Sequence, residues 1–442
     1  VNRQDEPAHG KRRRGQGLGA PGLASWGWLG KSRLPEFLGR HQRTTFLLAS
    51  GLSTAGSFAS ITAKSWILMD RSGNPLLLAL HFALLALPSL LVSGPAGVAT
   101  DRHGAARVLV LAQWGLFAAA LLGAVSVPLT SGSLQLALLL TSTLLLGIAS
   151  AYELTARNKY CALMVDKPEQ LAPYLTKFSV VFNLGKLVGP PLGGWLVAGA
   201  GAGAALTIDA FSFLLPIASV LWLLKPRGDL DIRSGLGSSA SVAAAWRDAG
   251  GVLRHVLRFC ALACLLCFFH PGLAPVMAKQ VLGPSPQSLG LFTSVLAAGS
   301  ISGGVLLQRN STWLSQRPGL LLGSCTALTG AAQLAMAIWG LRGWTFVGLA
   351  STFVIGAGTA ALLAGVNVIT QVGSPMAIRG RMAGLGQIAF LGGGGASGIL
   401  ASLISIKASL AASFGLLGAA ALALGLRELL QRRQLRLALR ST

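Results

Sequence analysis

The feature that most constrains this chain is a succession of twelve long apolar runs that leave no room for an ordinary water-covered core. They are Thr45–Met69, Leu76–Val98, Val108–Val127, Leu134–Tyr152, Leu171–Val197 and Ala204–Leu224, followed after a break by Phe259–Met277, Ser288–Leu307, Leu320–Gly340, Trp344–Ile369, Met382–Ile404 and Leu410–Leu426. Each runs about 17 to 27 residues, enough for a helix to cross a hydrocarbon layer of roughly 30 Å. Backbone groups in lipid must be satisfied within the segment, and the alternation of a membrane strand is absent, so helices are expected rather than a barrel. Only 11% of the 442 residues are charged, against roughly 25% in a soluble domain. Mean hydropathy is +0.64. The expected fold class is an all-α integral membrane protein of about twelve transmembrane helices.

A net charge of +23 would suit a nucleic-acid partner, but the charges lie between the apolar runs and at the termini, with no recognition module beside them. Their distribution fixes topology instead. With the N-terminus inside and an even number of spans, the inside segments hold about 29 of the Lys and Arg residues and the outside loops only Arg71, Lys279, Arg342 and Lys407. This places both termini in the cytoplasm, with the chain multi-pass in the cell (inner) membrane.

Residues 1–44 read as a disordered basic cytoplasmic tail, with a short interfacial helix around Leu34–Arg43 an option and no secretory leader pattern. Residues 45–224 form a first six-helix bundle, 225–258 a cytoplasmic linker with a short amphipathic helix over Val242–Arg254, 259–426 a second bundle and 427–442 a basic tail. Two alignments support duplication. Gly97–Arg102 resembles Gly304–Arg309 at an offset of 207 residues, and Phe182–Gly194 aligns with Phe390–Ser402 at an offset of 208. Parallel repeats of this kind are a mark of one group of secondary transporters.

Two local patterns stand out. The turn after the second span reads Gly97-x-x-x-Asp101-Arg102-x-Gly104-x-x-Arg107. Gly97 permits close helix approach, Gly104 a positive φ, and Asp101 can accept bonds from arginines or a helix N-terminus. The fifth span carries Gly185-Lys186-Leu187-Val188-Gly189-Pro190-Pro191-Leu192-Gly193-Gly194. Its small residues suit close packing, and Pro190 frees a carbonyl and bends the helix.

These two motifs resemble the signature loop and the helix-five antiporter motif of the major facilitator superfamily. The resemblance implies a conformational latch at Gly97, Asp101, Arg102, Gly104 and Arg107, though Ala105 and Ala106 stand where that family is often basic. Ala156-Arg157, Phe182–Gly194, Ile208–Leu214 and Gln371–Arg381, closing on Arg379-Gly380-Arg381-Met382, resemble the enterobactin-exporter-like or transmembrane secretion effector branch. That similarity adds Arg379 and Arg381 to the latch, and Gly185, Gly189, Pro190, Gly193 and Gly194 to the kink. It also implies an alternating-access exporter of siderophore-like or drug-like amphiphiles.

Ionisable residues inside spans are expensive and by default suggest function. Here they are Lys64, Lys186 and Asp209, with Glu153 closing span four and His81 and His270 also within spans. Lys186 could bind an anionic solute, exchange charge with a proton, or pair with Asp209 or a carbonyl. Asp209 could lock helices or carry a proton. Glu153 has a solvated helix end as its bland reading, and Lys64 could mark specificity or snorkel. With Asn183, Asn367 and Gln371 these residues are the substrate and coupling candidates. Cys260, Cys264, Cys267 and His270 share roughly one helix face, where small packing residues are favoured over a metal site. No metal, cofactor or catalytic residue is expected, because no nucleophile grouping converges and no phosphate-binding loop occurs. The partners expected are a small-molecule solute, protons and the lipid bilayer, with no nucleic acid, for a monomer exporting by proton antiport. A uniporter or importer on the same fold, and a non-transporting receptor or scaffold, are the rivals.

Overall fold

A computed structural model describes residues 41–129, 131–165, 170–223, 246–247, 250–309, 317–372 and 379–440. Most of the proposed N-terminal tail and most of the linker lie outside the described residues. The first helices are α1 (Gln42–Ser72), α2 (Pro75–His103), α3 (Ala105–Leu129) and α4 (Gly132–Leu163). The turns between them are written locally. Gly73 closes α1 in the left-handed conformation at φ 61°. The Asn74 side chain then accepts from the Leu76 N–H, with Pro75 at the first position of α2. Gly104, at φ 82°, makes the tight step into α3.

Among the described residues, 11 helical segments are long and apolar enough to cross a membrane. One of them counts twice. The segment Leu171–Ser212 is broken at Gly201, whose φ of 82° and ψ of 163° are not helical. It therefore comprises α5 (171–200) and α6, which runs on through Leu214–Ala218 and the π-helical turn Ser219–Leu223. The second set is α7, in two halves Gly251–Cys267 and His270–Val281, then α8 (Pro286–Arg309), α9 (Pro318–Ile338), α10 (Thr345–Val372), α11 (Arg379–Lys407) and α12 (Leu410–Arg440).

Three boundaries differ from the sequence reading. Helix α7 starts at Gly251 rather than Phe259, because Val252, Leu253, Val256 and Leu257 continue its apolar face into the segment assigned to the linker. It breaks at Phe268, so Cys267 and His270 stand on different half-helices. The stretch assigned to a C-terminal tail is helical to Arg440, as a Leu- and Arg-rich run without Gly or Pro favours.

Helix packing follows one plan twice. Helix α1 lies against α5, α2 against α4, and α3 against α4 and α6. In the second set α7 lies against α11, α8 against α10, and α9 against α10 and α12. Contacts between the sets run through α2 with α11 and α5 with α8. A repeat that adds six to each helix number turns the first of these pairs into the second. The two interfaces are therefore equivalent.

Candidate functional site

Helix α2 shows how the two sets meet. Near its N-terminal end Ala79 touches Gly272 and Gly398, and Pro75 accepts a hydrogen bond from Ser402 at 3.2 Å. At mid-height Leu87 packs on Gly395. The same face of α2 then reaches Leu91, which is 80% exposed, and Gly94 and Gly97, where a Cβ would meet nothing within 4 Å among the described residues of other elements. Helix α8 mirrors this. Gly290 faces the carbonyl of Pro190, Ser294 donates to the Leu187 carbonyl at 2.8 Å, and Gly304 at the far end stands in open space. Among the described residues the sets are closed at the end away from Asp101 and parted at the Asp101 end.

Inside the closed end lies a cavity of about 290 Å³ bordered by α1, α2, α5, α7, α8, α10 and α11. Among the described residues helix α4 contributes none to its wall. Phe58, Phe82, Leu85, Phe268 and Leu296 make the wall mostly apolar. Its hydroxyls turn inward on their own helices: Thr62 donates to Phe58, Thr293 to Leu289, Ser300 to Leu296 and Thr359 to Ile355, each through a carbonyl one turn back. Lys186 and Pro190 come from α5, beside the kink. The glycines of that motif set the geometry. A Cβ on Gly189 would lie 2.6 Å from the Ala55 carbonyl, and one on Gly193 would lie 2.5 Å from that of Ala59, so α5 rides directly on α1. Gly185 meets Thr54 similarly, whereas Gly194 meets Pro286 of α8.

Of the candidate liners, Lys186 reaches the cavity and Lys64 does not. Lys64 is 1% exposed and lies within the first helical set. Its Nζ donates to Ser142 Oγ at 2.7 Å, and that hydroxyl donates to the Ala119 carbonyl, tying α1, α4 and α3 together. Gly123 leaves the room this needs, since a Cβ there would sit 3.2 Å from Lys64 Cε. Asp209, also 1% exposed, accepts from Ser57 at 3.1 Å and from Ser60, joining α6 to α1. Lys64 and Asp209 attract each other through the interior without forming a contact ion pair. Glu153 accepts from Arg157 at 3.0 Å and from Gln113 at 3.4 Å, and it is buried between α3 and α4. Asn183 and Asn367 are half-buried on α5 and α10, outside the cavity wall. The side chains of Gln371, Arg379 and Arg381 lie outside the description. Asp101 accepts from Lys159 of α4 at 2.6 Å, while Arg102 and Arg107 are exposed.

Sequence reasoning missed several polar partners. The Thr143 hydroxyl donates to the Leu139 carbonyl and so accepts from His81 Nδ1 at 3.0 Å, leaving His81 Nε2 buried without a partner. Gln333 donates to His270 Nε2 and to the Leu266 carbonyl at the α7 break. Only the break itself, Phe268-Phe269-His270-Pro271, offered a signal in the sequence. The three α7 cysteines are buried, and no group of three or more His, Cys, Asp or Glu is gathered for a metal among the described residues.

A model of the transmembrane secretion effector family matches residues 40–438. The multidrug efflux pump Tap of Mycolicibacterium fortuitum is 25% identical over 365 residues, covering 78% of this chain and 85% of that protein. Among solved structures, a POT family transporter bound to a thioalcohol-conjugated peptide superposes with a TM-score of 0.72 at 11% identity, covering 89% of this chain and 96% of that one. A bacterial homologue of the iron transporter ferroportin in an inward-facing state superposes at 0.68 with 18% identity, over 90% and 99% of the two chains. These likenesses show the major facilitator fold of a multi-pass membrane transporter of small solutes, not an enzyme.

Proposed function

The chain belongs to the transmembrane secretion effector family, and from that premise we propose that it exports amphiphilic molecules from the cytoplasm by alternating access, in exchange for protons. The observation that carries this reading is the cavity between the two helical sets, which among the described residues is closed at one end and parted at the other. Positive-inside charge puts the parted, Asp101-bearing end in the cytoplasm, along with both termini, in an inner membrane. A solute enters there from the cytoplasm or the inner leaflet. The six-helix halves, 45–224 and 259–426, then rock as a monomer, parting the Ala79–Gly398 and Gly290–Pro190 contacts while the loop at Asp101, with Arg379 and Arg381 opposite, closes the inner end. The similar efflux pump favours export over uptake.

Proton exchange is assigned to Asp209, which is buried, held by two serine hydroxyls and balanced at a distance by Lys64. Changing its charge alters the link between α6 and α1, and α1 is the helix on which the kinked α5 rides. The test is fluorescent-amphiphile transport in inside-out vesicles. Uphill accumulation should follow an imposed proton gradient, collapse with a protonophore, and fall at least tenfold in Asp209→Asn. Accumulation indifferent to the gradient would remove the antiport, and movement only in the opposite sense would remove export.

A further inference from the structure

Among the described residues Lys186 is the single Asp, Glu, Lys or Arg in the cavity wall, and no carboxylate bonds its Nζ. Of the acidic side chains described in the first helical set, Asp209 is engaged with Ser57 and Ser60, Glu153 with Arg157 and Gln113, and Asp101 with Lys159, while Asp70 is exposed near the C-terminal end of α1. The wall hydroxyls spend their protons on their own helix carbonyls. A cation held at mid-membrane without a counter-charge is costly, and an anion brought to it recovers much of that cost. The repeat sharpens the imbalance. At the 208-residue offset the counterpart of Lys186 is Gly394, which also lines the cavity and carries nothing. The second half of α7 begins at the wall with His270, so the positive end of its dipole adds to the same potential. Around this one charge the wall is largely aromatic and aliphatic, with the hydroxyl oxygens of Thr62, Thr293, Ser300 and Thr359 and the His270 ring among its few polar groups.

We propose that the cavity selects amphiphiles carrying one anionic group, a carboxylate, sulfonate or phosphate, seated on Lys186 with the apolar body against Phe58, Phe82 and Phe268. The proposal rests on the reading of this cavity as the cargo site of an exporter. The anion can belong to a soluble solute or to a lipid headgroup, since both present the same chemistry.

The test uses two probes with the same ring system, anilinonaphthalene sulfonate and uncharged phenylnaphthylamine, on the full-length protein in phosphatidylcholine nanodiscs and in inside-out vesicles. The wild type should bind the sulfonate about tenfold or more tighter than the neutral probe, the size expected of a charge-assisted hydrogen bond. Lys186→Gln should bring the two affinities within about threefold, and Lys186→Arg should keep the preference. Retained phenylnaphthylamine binding shows that each variant is folded. Equal affinity for both probes in the wild type, or a preference unchanged in Lys186→Gln, overturns the proposal. Adding phosphatidylglycerol to the nanodiscs separates the two sources. Competition with the sulfonate makes a headgroup one occupant of the anion site, and indifference restricts that site to soluble anions. Transport of phenylnaphthylamine as fast as the sulfonate would leave the exporter standing and remove the anion preference, whereas sulfonate binding without transport of either probe would do the reverse.

Discussion

The pairs α3–α6 and α9–α12 occupy equivalent places in the two helical sets, yet different forces hold them. Between α9 and α12 glycines bring the backbones into direct contact: Gly323 meets the carbonyl of Gly425, and Gly330 meets that of Gly418. Between α3 and α6 the corresponding approach is loose, since a Cβ on Gly203 would find Val127 at 3.7 Å. The first set compensates with polar bonds, through Lys64 to Ser142 and Asp209 to Ser57 across α1, α4 and α6. The second set has no Asp, Glu, Lys or Arg within the spans read from its sequence. Its interior polar linkage at the α7 break is the neutral pair Gln333 and His270. At these two pairs polar bonds do in the first set what close backbone packing does in the second, although α5 also rides on α1 through Gly189 and Gly193, and His255 bonds the buried Glu428 between α7 and α12 at 3.0 Å. In lipid both can work, because there is no hydrophobic drive between helices and either short contacts or polar links must supply it.

The largest effect expected from this contrast lies in the polar interior. Lys64→Met or Asp209→Leu alone strands the other charge and should cost about 3 kcal/mol or more. The double variant should recover most of that loss in unfolding measurements in detergent. Gln333→Leu in the other set should cost only about 1 kcal/mol, the net worth of a neutral hydrogen bond. Additive losses in the double variant would mean that the two charges do not support each other.

A smaller effect separates the glycines. Gly330→Ala should lower the melting temperature by an amount corresponding to about 1–3 kcal/mol, because the new methyl meets backbone that cannot turn aside. Gly203→Ala should change stability by roughly half a kcal/mol at most, as a substitution in ordinary van der Waals space. Equal losses at the two sites would break the contrast. The smallest effect is at the surface. Asp101→Asn removes the charge from the bond to Lys159, a pair 41% and 31% exposed, and should cost under about 1 kcal/mol. A larger loss would mean that the loop braces the first set rather than serving the conformational cycle.

Much of the fold was legible because lipid leaves so few choices. Run length, positive-inside charge and the two offsets give the order of the helices, and the offset arithmetic relates α2–α11 to α5–α8. The π-helical end of α6 and the extension of α7 to Gly251 were not legible, because boundaries depend on where neighbouring helices offer cover. Within the site, Lys186 could be singled out as a rare intramembrane charge. Whether a charge faces the cavity or the bundle interior could not, since Lys64 and Lys186 carry the same chemistry on neighbouring helices. That distinction depends on rotation about the helix axis, and Ser142 and Gly123, which settle it for Lys64, are scattered on α4 and α3.

The closed end of the cleft has a consequence of its own. It is built largely from bare backbone laid against bare backbone, Gly290 on Pro190, Gly194 on Pro286 and Gly398 on Ala79, with the hydroxyls of Ser402 and Ser294 reaching across. When such faces separate, nearly every N–H and C=O keeps the partner it already has within its own helix. The Ser402–Pro75 and Ser294–Leu187 bonds are what such a separation would give up, so the contact is held mainly by fit and only lightly by fastenings.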